Sequence, residues 1–330
     1  MTATEQAQRH RTPGATGPGA LRCTGLRYSF GSTRAVDGVD LDVRPGEVFG
    51  LLGPNGAGKT TAIRVITTLL PVPAGMVEVF GHDCARERMA VRRLLGYVPQ
   101  QLSADSGLTG RENVALFARV FDVPRRERTD RVGAVLAAVG LTESADRLAG
   151  TYSGGMVRRL ELAQALVSAP RLLILDEPTI GLDPIARTSV WEHITRVRVA
   201  TGMTVLVTTH YMDEAEQYCD RVALMHRGRI RAVGTPEELR TGLGRAAVSA
   251  GRPAADPVTA APPTATASTA ELSTTERSAI GPTGPTAAAP TLEDVFRHYA
   301  GSGLDGREST EDGGDFRDVR RTRHTASRVG

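Results

Sequence analysis

Short apolar runs and helical repeats alternate along the chain between about residues 21 and 240. Continuous runs such as residues 48–52, 172–175 and 205–207 have the length of buried strands. Many of the intervening segments place apolar residues at every third or fourth position, which is typical of amphipathic helices. This alternation predicts an α/β fold with a mainly parallel sheet at its core.

Helical repeats dominate one interval inside this region, at about residues 101–165. Strand-like runs disappear there, and helices are predicted over residues 112–121 and 129–139. We expect the interval to form a helical subdomain inserted into the α/β body of residues 21–240.

The two ends of the chain have compositions that do not support a packed core. Residues 1–20 are polar and rich in Gly and Pro, and residues 241–290 are rich in Ala, Thr and Pro. We expect the first segment to be disordered and the second to be a linker. Residues 291–330 begin with a short predicted helix, N-capped by Thr291, and continue as a tail that is charged in both signs.

The charge, cysteine content and apolar runs of the chain limit the kinds of partner and surroundings that are expected. A formal net charge of +3 on 330 residues gives no reason to expect a nucleic-acid partner. The three cysteines, Cys23, Cys84 and Cys219, are too few and too far apart for a disulfide framework and indicate a reducing compartment. No apolar run reaches the roughly 18 residues that a membrane-spanning helix needs.

Lys59 is the only lysine among the 40 basic residues. It lies in a phosphate-loop pattern, G-x-x-x-x-G-K-[ST], in which backbone N–H groups converge on phosphate oxygens and the lysine reaches the β- and γ-phosphates. A strand-like run precedes the pattern, and a helix with Ile63 and Ile66 on one face follows and is predicted to end at Pro71. The residues predicted to bind a nucleotide here are Gly53, Pro54, Asn55, Gly56, Ala57, Gly58, Lys59, Thr60 and Thr61.

Two adjacent carboxylates follow the apolar run at residues 172–175. Ligands of open α/β sheets bind where the strands end. Asp176 is therefore predicted to hold Mg²⁺, to which Thr60 would offer its hydroxyl, and Glu177 to polarise the attacking water. The simpler alternative is a buried strand followed by a capping or surface acid.

Two more polar residues stand at predicted element ends. His210 follows the apolar run at residues 205–207 by two threonines, a position from which it could approach a γ-phosphate, although a lone histidine is more often structural. Gln100 lies where the α/β body gives way to the helical interval. There it could contact the metal and the attacking water and pass the state of the site to the helices.

Ser153, Gly154 and Gly155 open a further predicted helix. Ser153 is a good N-cap, but two glycines are poor helix formers and need another explanation. Exposed N–H groups at a helix N-terminus, next to a hydroxyl, make an anion site. Because one nucleotide already has a phosphate loop, the second site predicts a head-to-tail dimer in which each copy contacts the other's nucleotide.

Taken together, these motifs resemble the ATP-binding-cassette (ABC) ATPases, in that family's order, over roughly residues 21–240. The resemblance implies ATP and Mg²⁺ as ligands, Glu177 as general base and His210 as the γ-phosphate contact, with Gln100 at the metal. It also implies that Ser153 and Gly155 close on the opposite subunit's ATP, and that Asp183 links the two sites. Phe30 is the candidate to stack on adenine, with Tyr28 as its rival.

One branch of this family matches further details. The usual Leu-Ser-Gly-Gly-Gln reads Tyr152-Ser153-Gly154-Gly155-Met156 here, which is similar to the daunorubicin/doxorubicin resistance type, as are residues 157–160, 210–215 and 292–296. This resemblance implies an ATPase that drives efflux of a hydrophobic drug or antibiotic. It would lie at the cytoplasmic face of the membrane and work with a separate integral membrane permease.

Other functions stay open at this point. An ABC ATPase acting on DNA or ribosomes is a minor alternative, because neither a splitting coiled coil nor a second cassette is present. An importer is disfavoured by the lack of a strand-rich C-terminal domain. An Asn-Lys-x-Asp guanine-reading element cannot occur with one lysine, which argues against a GTP switch. Lipid, polysaccharide or ion export is also compatible with the sequence.

Overall fold

The computed structural model describes residues 19–242 and 290–300. The strands are β1 (Leu21–Phe30), β2 (Thr33–Val43), β3 (Val48–Leu52), β4 (Val77–Val79), β5 (His82–Asp83), β6 (Leu95–Val98), β7 (Leu172–Asp176), β8 (Thr204–Thr209), β9 (Arg221–His226) and β10 (Arg229–Gly234). The helices are α1 (Lys59–Ile66), α2 (Arg88–Leu94), α3 (Gly110–Val120), α4 (Arg128–Ala138), α5 (Gly154–Leu166), α6 (Pro184–Thr201), α7 (Met212–Tyr218) and α8 (Leu292–Ala300), with 3₁₀ turns at Thr142–Ser144 and Ala149–Thr151. A further helical segment covers residues 236–242.

The central sheet has six strands in the order β10-β9-β3-β8-β7-β6. All neighbours are parallel except β10, which pairs antiparallel with β9. Every residue of β3, β7 and β8 is buried. Strands covered on both faces read as continuous apolar runs, and this is why the sequence pattern predicts the α/β fold correctly.

A second sheet of four strands, in the order β2-β1-β4-β5, is entirely antiparallel. The sequence pattern predicts alternating strands and helices from residue 21 onward and does not predict this sheet. β1 and β2 instead follow each other directly, and their buried positions are interleaved with exposed polar ones. The register of β1 on β2 shifts at three places, which interrupts the alternation of apolar and polar positions that indicates a half-buried strand.

The six-stranded sheet separates two hydrophobic cores. Val48 and Leu52 of β3 join the core formed with α3 to α8, whereas Phe49 and Leu51 join the core formed with α1, α2 and the antiparallel sheet. Successive side chains of a strand point to opposite faces, so β3 contributes to both. This two-sided burial fixes the strand ends that carry the polar residues.

The helix after the phosphate loop is shorter than predicted, since α1 ends at Ile66 and does not reach Pro71. The Thr67 hydroxyl bonds back to the Ile63 carbonyl at 2.8 Å, and Thr68 has φ of 61°, which no right-handed helix accommodates. The helices α3 and α4, in contrast, begin and end within two residues of the predicted ones.

A helix begins after Thr291, as predicted, and packs onto the body of the protein. Leu292, Val295 and Phe296 of α8 are buried in the core, and the Leu292 N–H donates to Glu216 Oε1 at 2.9 Å. Most of residues 1–20, 241–290 and 301–330 lie outside the described residues. Their predicted disorder, linker role and charged tail stay predictions, as does the division of residues 101–165 into a helical subdomain.

Within residues 19–242 and 290–300, no helix combines the length and the hydrophobicity that a membrane crossing requires.

Candidate nucleotide-binding site

The loop between β3 and α1 is wedged between two other parts of the fold. Gly58 has φ of 105°, and a Cβ there would lie 2.3 Å from the Ala35 carbonyl oxygen. A Cβ at Gly53 would lie 2.2 Å from the carbonyl oxygen of Met225 in β9. Only glycine fits such close backbone approaches, and the loop is therefore fixed by β2 on one side and β9 on the other.

Lys59 is folded over this loop. Its Nζ donates to the Gly53 carbonyl at 2.7 Å and to the Pro54 carbonyl at 3.2 Å. The same atom lies 3.2 Å from Glu177 Oε1, and only 4% of the side chain is exposed. The ammonium group is thus held at the centre of the loop, where phosphate oxygens bind in proteins with this motif.

A cavity of about 500 Å³ lies beside the loop. It brings together the phosphate-loop residues, the half-exposed Phe30 from the end of β1, and two side chains from other strand ends, Gln100 and Glu177. Tyr28 does not line the cavity but meets Phe30 edge-on, with ring centroids 5.1 Å apart. The lining residues are Phe30, Ala35, Pro54, Asn55, Gly56, Ala57, Gly58, Lys59, Thr60, Thr61, Gln100 and Glu177.

Asp176 is fully buried at the end of β7. Its Oδ1 accepts hydrogen bonds from Thr208 at 2.6 Å and Thr60 at 3.3 Å, while Oδ2 has no partner among the described residues. Burial raises the pKa of the Asp176 carboxyl, and the hydrogen bonds from Thr208 and Thr60 oppose that rise. The orphaned oxygen makes this carboxylate suited to a further ligand.

Glu177 is the meeting point of the predicted catalytic residues. Its backbone has φ of 51°, a left-handed conformation that is costly for a residue with a Cβ and that clusters at functional sites. Oε1 faces Lys59 at 3.2 Å, and Oε2 accepts from Gln100 Nε2 at 3.2 Å. His210 Nδ1 lies 3.5 Å from Oε2 without a hydrogen bond. Side chains from the start of α1 and from just beyond the ends of β6 and β8 thus converge on one carboxylate.

Thr208 forms hydrogen bonds with both Asp176 and Glu177 and is not among the site residues predicted from the sequence. Its hydroxyl donates to Asp176 and accepts the Glu177 N–H at 2.9 Å, and its carbonyl accepts the same N–H at 3.1 Å. The available signal was a pair of threonines closing an otherwise apolar run, because a buried hydroxyl in a central strand needs polar partners.

Glu214 was missed as well. This buried carboxylate of α7 accepts hydrogen bonds from Thr179 at 2.9 Å and Thr209 at 3.3 Å. Thr179 follows Glu177 by two positions, and Thr209 precedes His210. Glu214 therefore ties the segment after one candidate catalytic residue to the segment before another.

Ser153, Gly154 and Gly155 do not line the cavity of their own chain. Ser153 caps α5, its Oγ accepting the Met156 N–H at 3.3 Å. Ser153 and Gly154 are exposed. The anion site predicted at this helix N-terminus is thus not part of the nucleotide cavity of its own chain.

Asp183 lies next to that helix start. Its carboxylate caps α6 by accepting the Ala186 N–H at 2.9 Å. A Cβ built on Gly155 would lie 3.2 Å from the Ala186 Cβ, so the two helix N-termini touch. The Asp183 segment and the Ser-Gly-Gly segment therefore form one continuous exposed surface.

Comparison with known proteins identifies relatives of the chain. The family model described as ABC transporter matches residues 36–180. The chain is 48% identical over 225 residues to the daunorubicin/doxorubicin resistance ATP-binding protein DrrA of Streptomyces peucetius, covering 68% of this chain and 68% of that protein. It is 43% identical to the Nod factor export ATP-binding protein I of Rhizobium sp. (strain N33), covering 67% and 72%. Among solved structures, cbiO1 of Clostridium perfringens, part of the ABC transporter complex cbiONQ, superposes with a TM-score of 0.62 at 28% identity over 71% of this chain and 94% of that one.

Proposed function

The chain belongs to the ABC transporter family of ATP-binding proteins, which hydrolyse ATP to power transport, and from this premise we propose that it drives export of a hydrophobic drug-like or antibiotic molecule. The relative with 48% identity is named for daunorubicin and doxorubicin resistance, and the relative from Rhizobium for export of Nod factor. Both names denote ATP-binding proteins, one for drug resistance and one for export, and together they support export as the direction of transport here.

The observation that carries the ATPase chemistry is the convergence of Lys59, Gln100 and His210 on Glu177. In the proposed mechanism, the loop amides and Lys59 bind the β- and γ-phosphates. Glu177 takes the proton of the attacking water, which Gln100 orients, and His210 donates to the γ-phosphate. Phosphoryl transfer depends on positioning and charge stabilisation. Lys59 would supply the positive charge, and the start of α1 with the ends of β6 and β8 would hold Lys59, Gln100 and His210 in position.

Mg²⁺ fits the oxygen donors that the site offers. Asp176 has one buried oxygen that finds no partner within the described part of the chain, and its other oxygen lies 3.3 Å from the Thr60 hydroxyl. Hard cations prefer such oxygen ligands. We assign Thr60, Asp176 and Gln100 to the ion, which when bound would neutralise charge on the β- and γ-phosphate oxygens.

The second ATPase subunit is proposed to be another copy of this chain, arranged head to tail. Ser153 and Gly154, which are exposed, and the half-buried Gly155 would contact the ATP held by the partner, and the neighbouring Asp183 would reach the partner's loop. The support is geometric. The N-terminus of α5, a type of position that favours anions, is exposed at Ser153 and Gly154 and does not line the nucleotide cavity of its own chain.

A separate integral membrane permease is proposed as the second partner. ABC exporter ATP-binding subunits generally pair with such permeases, and the solved relative cbiO1 is described as part of a multi-subunit transporter complex. The chain would then act at the cytoplasmic face of the membrane as a peripheral subunit. The net charge of +3 gives no reason to propose a nucleic-acid partner.

The export proposal is tested in the native host by deleting the gene and measuring cellular accumulation of fluorescent doxorubicin. Deletion should raise accumulation, and the wild-type chain should restore it. Glu177→Gln should fail to do so, whereas Glu143→Gln, the same chemical change at an exposed residue, should restore it. Accumulation that does not change on deletion would contradict drug export and favour a lipid, polysaccharide or ion substrate.

A further inference from the structure

The helix that begins at Ser153 also carries a buried ion pair, Arg158–Glu161, that holds the Gln100 segment of the same chain. We propose that this pair is a positioning device that couples the two nucleotide sites of the dimer. It would fix Gln100, in the chain's own site, relative to Ser153, which faces the partner's nucleotide. This inference rests on the head-to-tail arrangement proposed above.

Arg158 provides the first half of the connection. Its Nη1 donates to the Pro99 carbonyl at 2.8 Å, and its Nη2 donates to the Gln100 carbonyl. The side chain is only 4% exposed. The planar guanidinium therefore binds two successive carbonyls from one rigid fork, which a lysine ammonium does not reproduce.

Glu161 provides the second half. Its Oε2 accepts from Arg158 Nη1 at 2.9 Å, while its Oε1 accepts the Ser103 N–H and the Ser103 hydroxyl. Both carboxylate oxygens are thus used, and the buried charges of the pair compensate each other. The result is a clamp, Arg158 with Glu161, that holds residues 99–103 at three backbone groups and one hydroxyl.

A second contact from the same helix reaches the chain just beyond residues 99–103, by way of Asn113 in α3. Gln164 Nε2 donates to Asn113 Oδ1 at 3.1 Å, and that oxygen also accepts the Asp105 N–H at 2.9 Å. Asn113 is buried and donates to the Asp105 carbonyl at 2.9 Å. Asp105, just beyond the clamped segment, is therefore linked to α5 through Asn113 of α3.

The clamp links the chain's own nucleotide site to the surface that is offered to the partner's ATP. The Gln100 side chain contacts Glu177 in the chain's own site, while its backbone carbonyl is held by Arg158. Ser153 lies five residues before Arg158 on one continuous helix, about 7.5 Å along the axis. A shift of the Gln100 backbone relative to Glu177 therefore either moves α5 or breaks the hydrogen bonds of the clamp. Moving α5 moves the surface offered to the partner's ATP.

A purely structural role for the pair is the competing explanation. Buried ion pairs are weak sources of stability, and apolar residues of similar volume often replace them without loss, whereas removing one partner alone is strongly destabilising. A double replacement therefore separates the two roles. Arg158→Met with Glu161→Leu leaves no unpaired buried charge but releases residues 99–103.

The test uses the full chain carrying Glu177→Gln, which is expected to bind ATP and to dimerise without turnover. Dimer formation is followed by analytical ultracentrifugation at increasing ATP concentration, and ATP binding to the dilute monomer is followed with a fluorescent ATP analogue. The variants compared are Glu177→Gln alone and Glu177→Gln with the double replacement, with Arg158→Lys or with Arg159→Met. Arg159 is the matched control, because it bonds the Val139 and Gly140 carbonyls instead of the Gln100 segment.

The double replacement should raise the ATP concentration for half-maximal dimerisation by about 5- to 150-fold, the usual range for coupling between sites, and leave monomer binding unchanged. Arg158→Lys should have an intermediate effect and Arg159→Met none. Dimerisation of the double variant at the parental ATP concentration would overturn the coupling role. Parallel loss of monomer ATP binding would also overturn it, since the pair would then serve folding. A parental Glu177→Gln protein that stays monomeric would instead refute the head-to-tail arrangement on which the inference rests.

Discussion

Lys59 and Glu177 form a buried ion pair inside the nucleotide cavity, with 3.2 Å between Nζ and Oε1 and 4% of each side chain exposed. One residue comes from the loop after β3 and the other from the end of β7. The pair places a phosphate-binding ammonium next to the proposed general base where bulk water is largely excluded. Because each charge compensates the other, a substitution at either position changes the electrostatics of both.

Glu177→Gln should bind ATP but hydrolyse it about 10²- to 10⁴-fold more slowly, the usual loss when a general base is removed. The amide keeps the shape of the side chain but cannot accept the proton of the attacking water. Phosphate release and ATP binding measured on the same preparation check this. ATPase activity close to that of the wild type would remove Glu177 from the base role.

Ser153→Arg should prevent ATP-driven dimerisation while each monomer still binds ATP. The arginine would project from an exposed helix start, where it occupies the space proposed for the partner's nucleotide. Ser153 is not among the residues that line the chain's own cavity, so binding to the monomer should persist. Light scattering with and without ATP, beside a nucleotide-binding titration, measures both effects. Undiminished dimerisation would contradict the two-chain site.

Phe30→Ala should weaken ATP binding by about tenfold, since stacking of a base on an aromatic ring contributes roughly 1–3 kcal/mol. Phe30 lines the cavity and is 50% exposed, so its removal leaves no buried hole. Phe30→Trp should keep the affinity, and Tyr28→Phe is the control for the neighbouring ring. Equal affinity of Phe30→Ala and wild type in a titration with fluorescent ATP would exclude Phe30 as the adenine platform.

Thr208→Val should destabilise the protein by about 1–3 kcal/mol, because it removes a buried hydroxyl and leaves its hydrogen-bond partners at Asp176 and Glu177 less satisfied. Valine has nearly the same volume, so the loss reports hydrogen bonding and not a cavity. Urea unfolding gives the free energy of unfolding. Thr188→Val, at an exposed position of α6, is the control and should change it by less than about 0.5 kcal/mol.

Asp176→Asn should unfold at a higher temperature than the wild type at neutral pH when Mg²⁺ and nucleotide are removed with EDTA. Burial raises the pKa of Asp176 above its ordinary value of 3.8. The carboxyl's stabilising contribution is therefore complete below pH 3.8 and is lost as the pH rises through the folded-state pKa. Asparagine never ionises and avoids this loss.

The advantage of Asp176→Asn should accordingly shrink as the pH is lowered towards 3.8, and thermal unfolding at stepped pH measures it. A variant less stable than the wild type at neutral pH would contradict the sign. Addition of Mg²⁺ with ATP should reverse the order, since only the carboxylate offers the ion a charged ligand.

Much of the site was predictable because its signals are local. The phosphate loop, the acids after residues 172–175 and His210 are each read from an apolar run and the residues that follow it, and Gln100 is read from its position at the junction with the helical interval. Parallel strands of one sheet end at a shared edge, so local patterns were enough to bring Lys59, Gln100 and Glu177 into one cavity.

The supporting contacts were not predictable in this way. Thr208 and Glu214 act on residues that are distant in sequence, and the clamp of Arg158 and Glu161 joins α5 to a segment more than 50 positions earlier. The antiparallel sheet also escaped prediction, because irregular register between β1 and β2 interrupts the alternating pattern of a half-buried strand.

The amino-acid sequence by itself determined the fold class, through short-range periodicity, and the family, through short motifs whose content and order resemble those of the ABC ATPases. Only the tertiary structure decided which atoms meet: the left-handed turn at Glu177, the buried partners of Asp176, and the placement of Ser153 outside its own cavity. The physical reason is that hydrogen bonds and buried ion pairs require positions fixed to a fraction of an ångström, and packing between distant segments sets those positions.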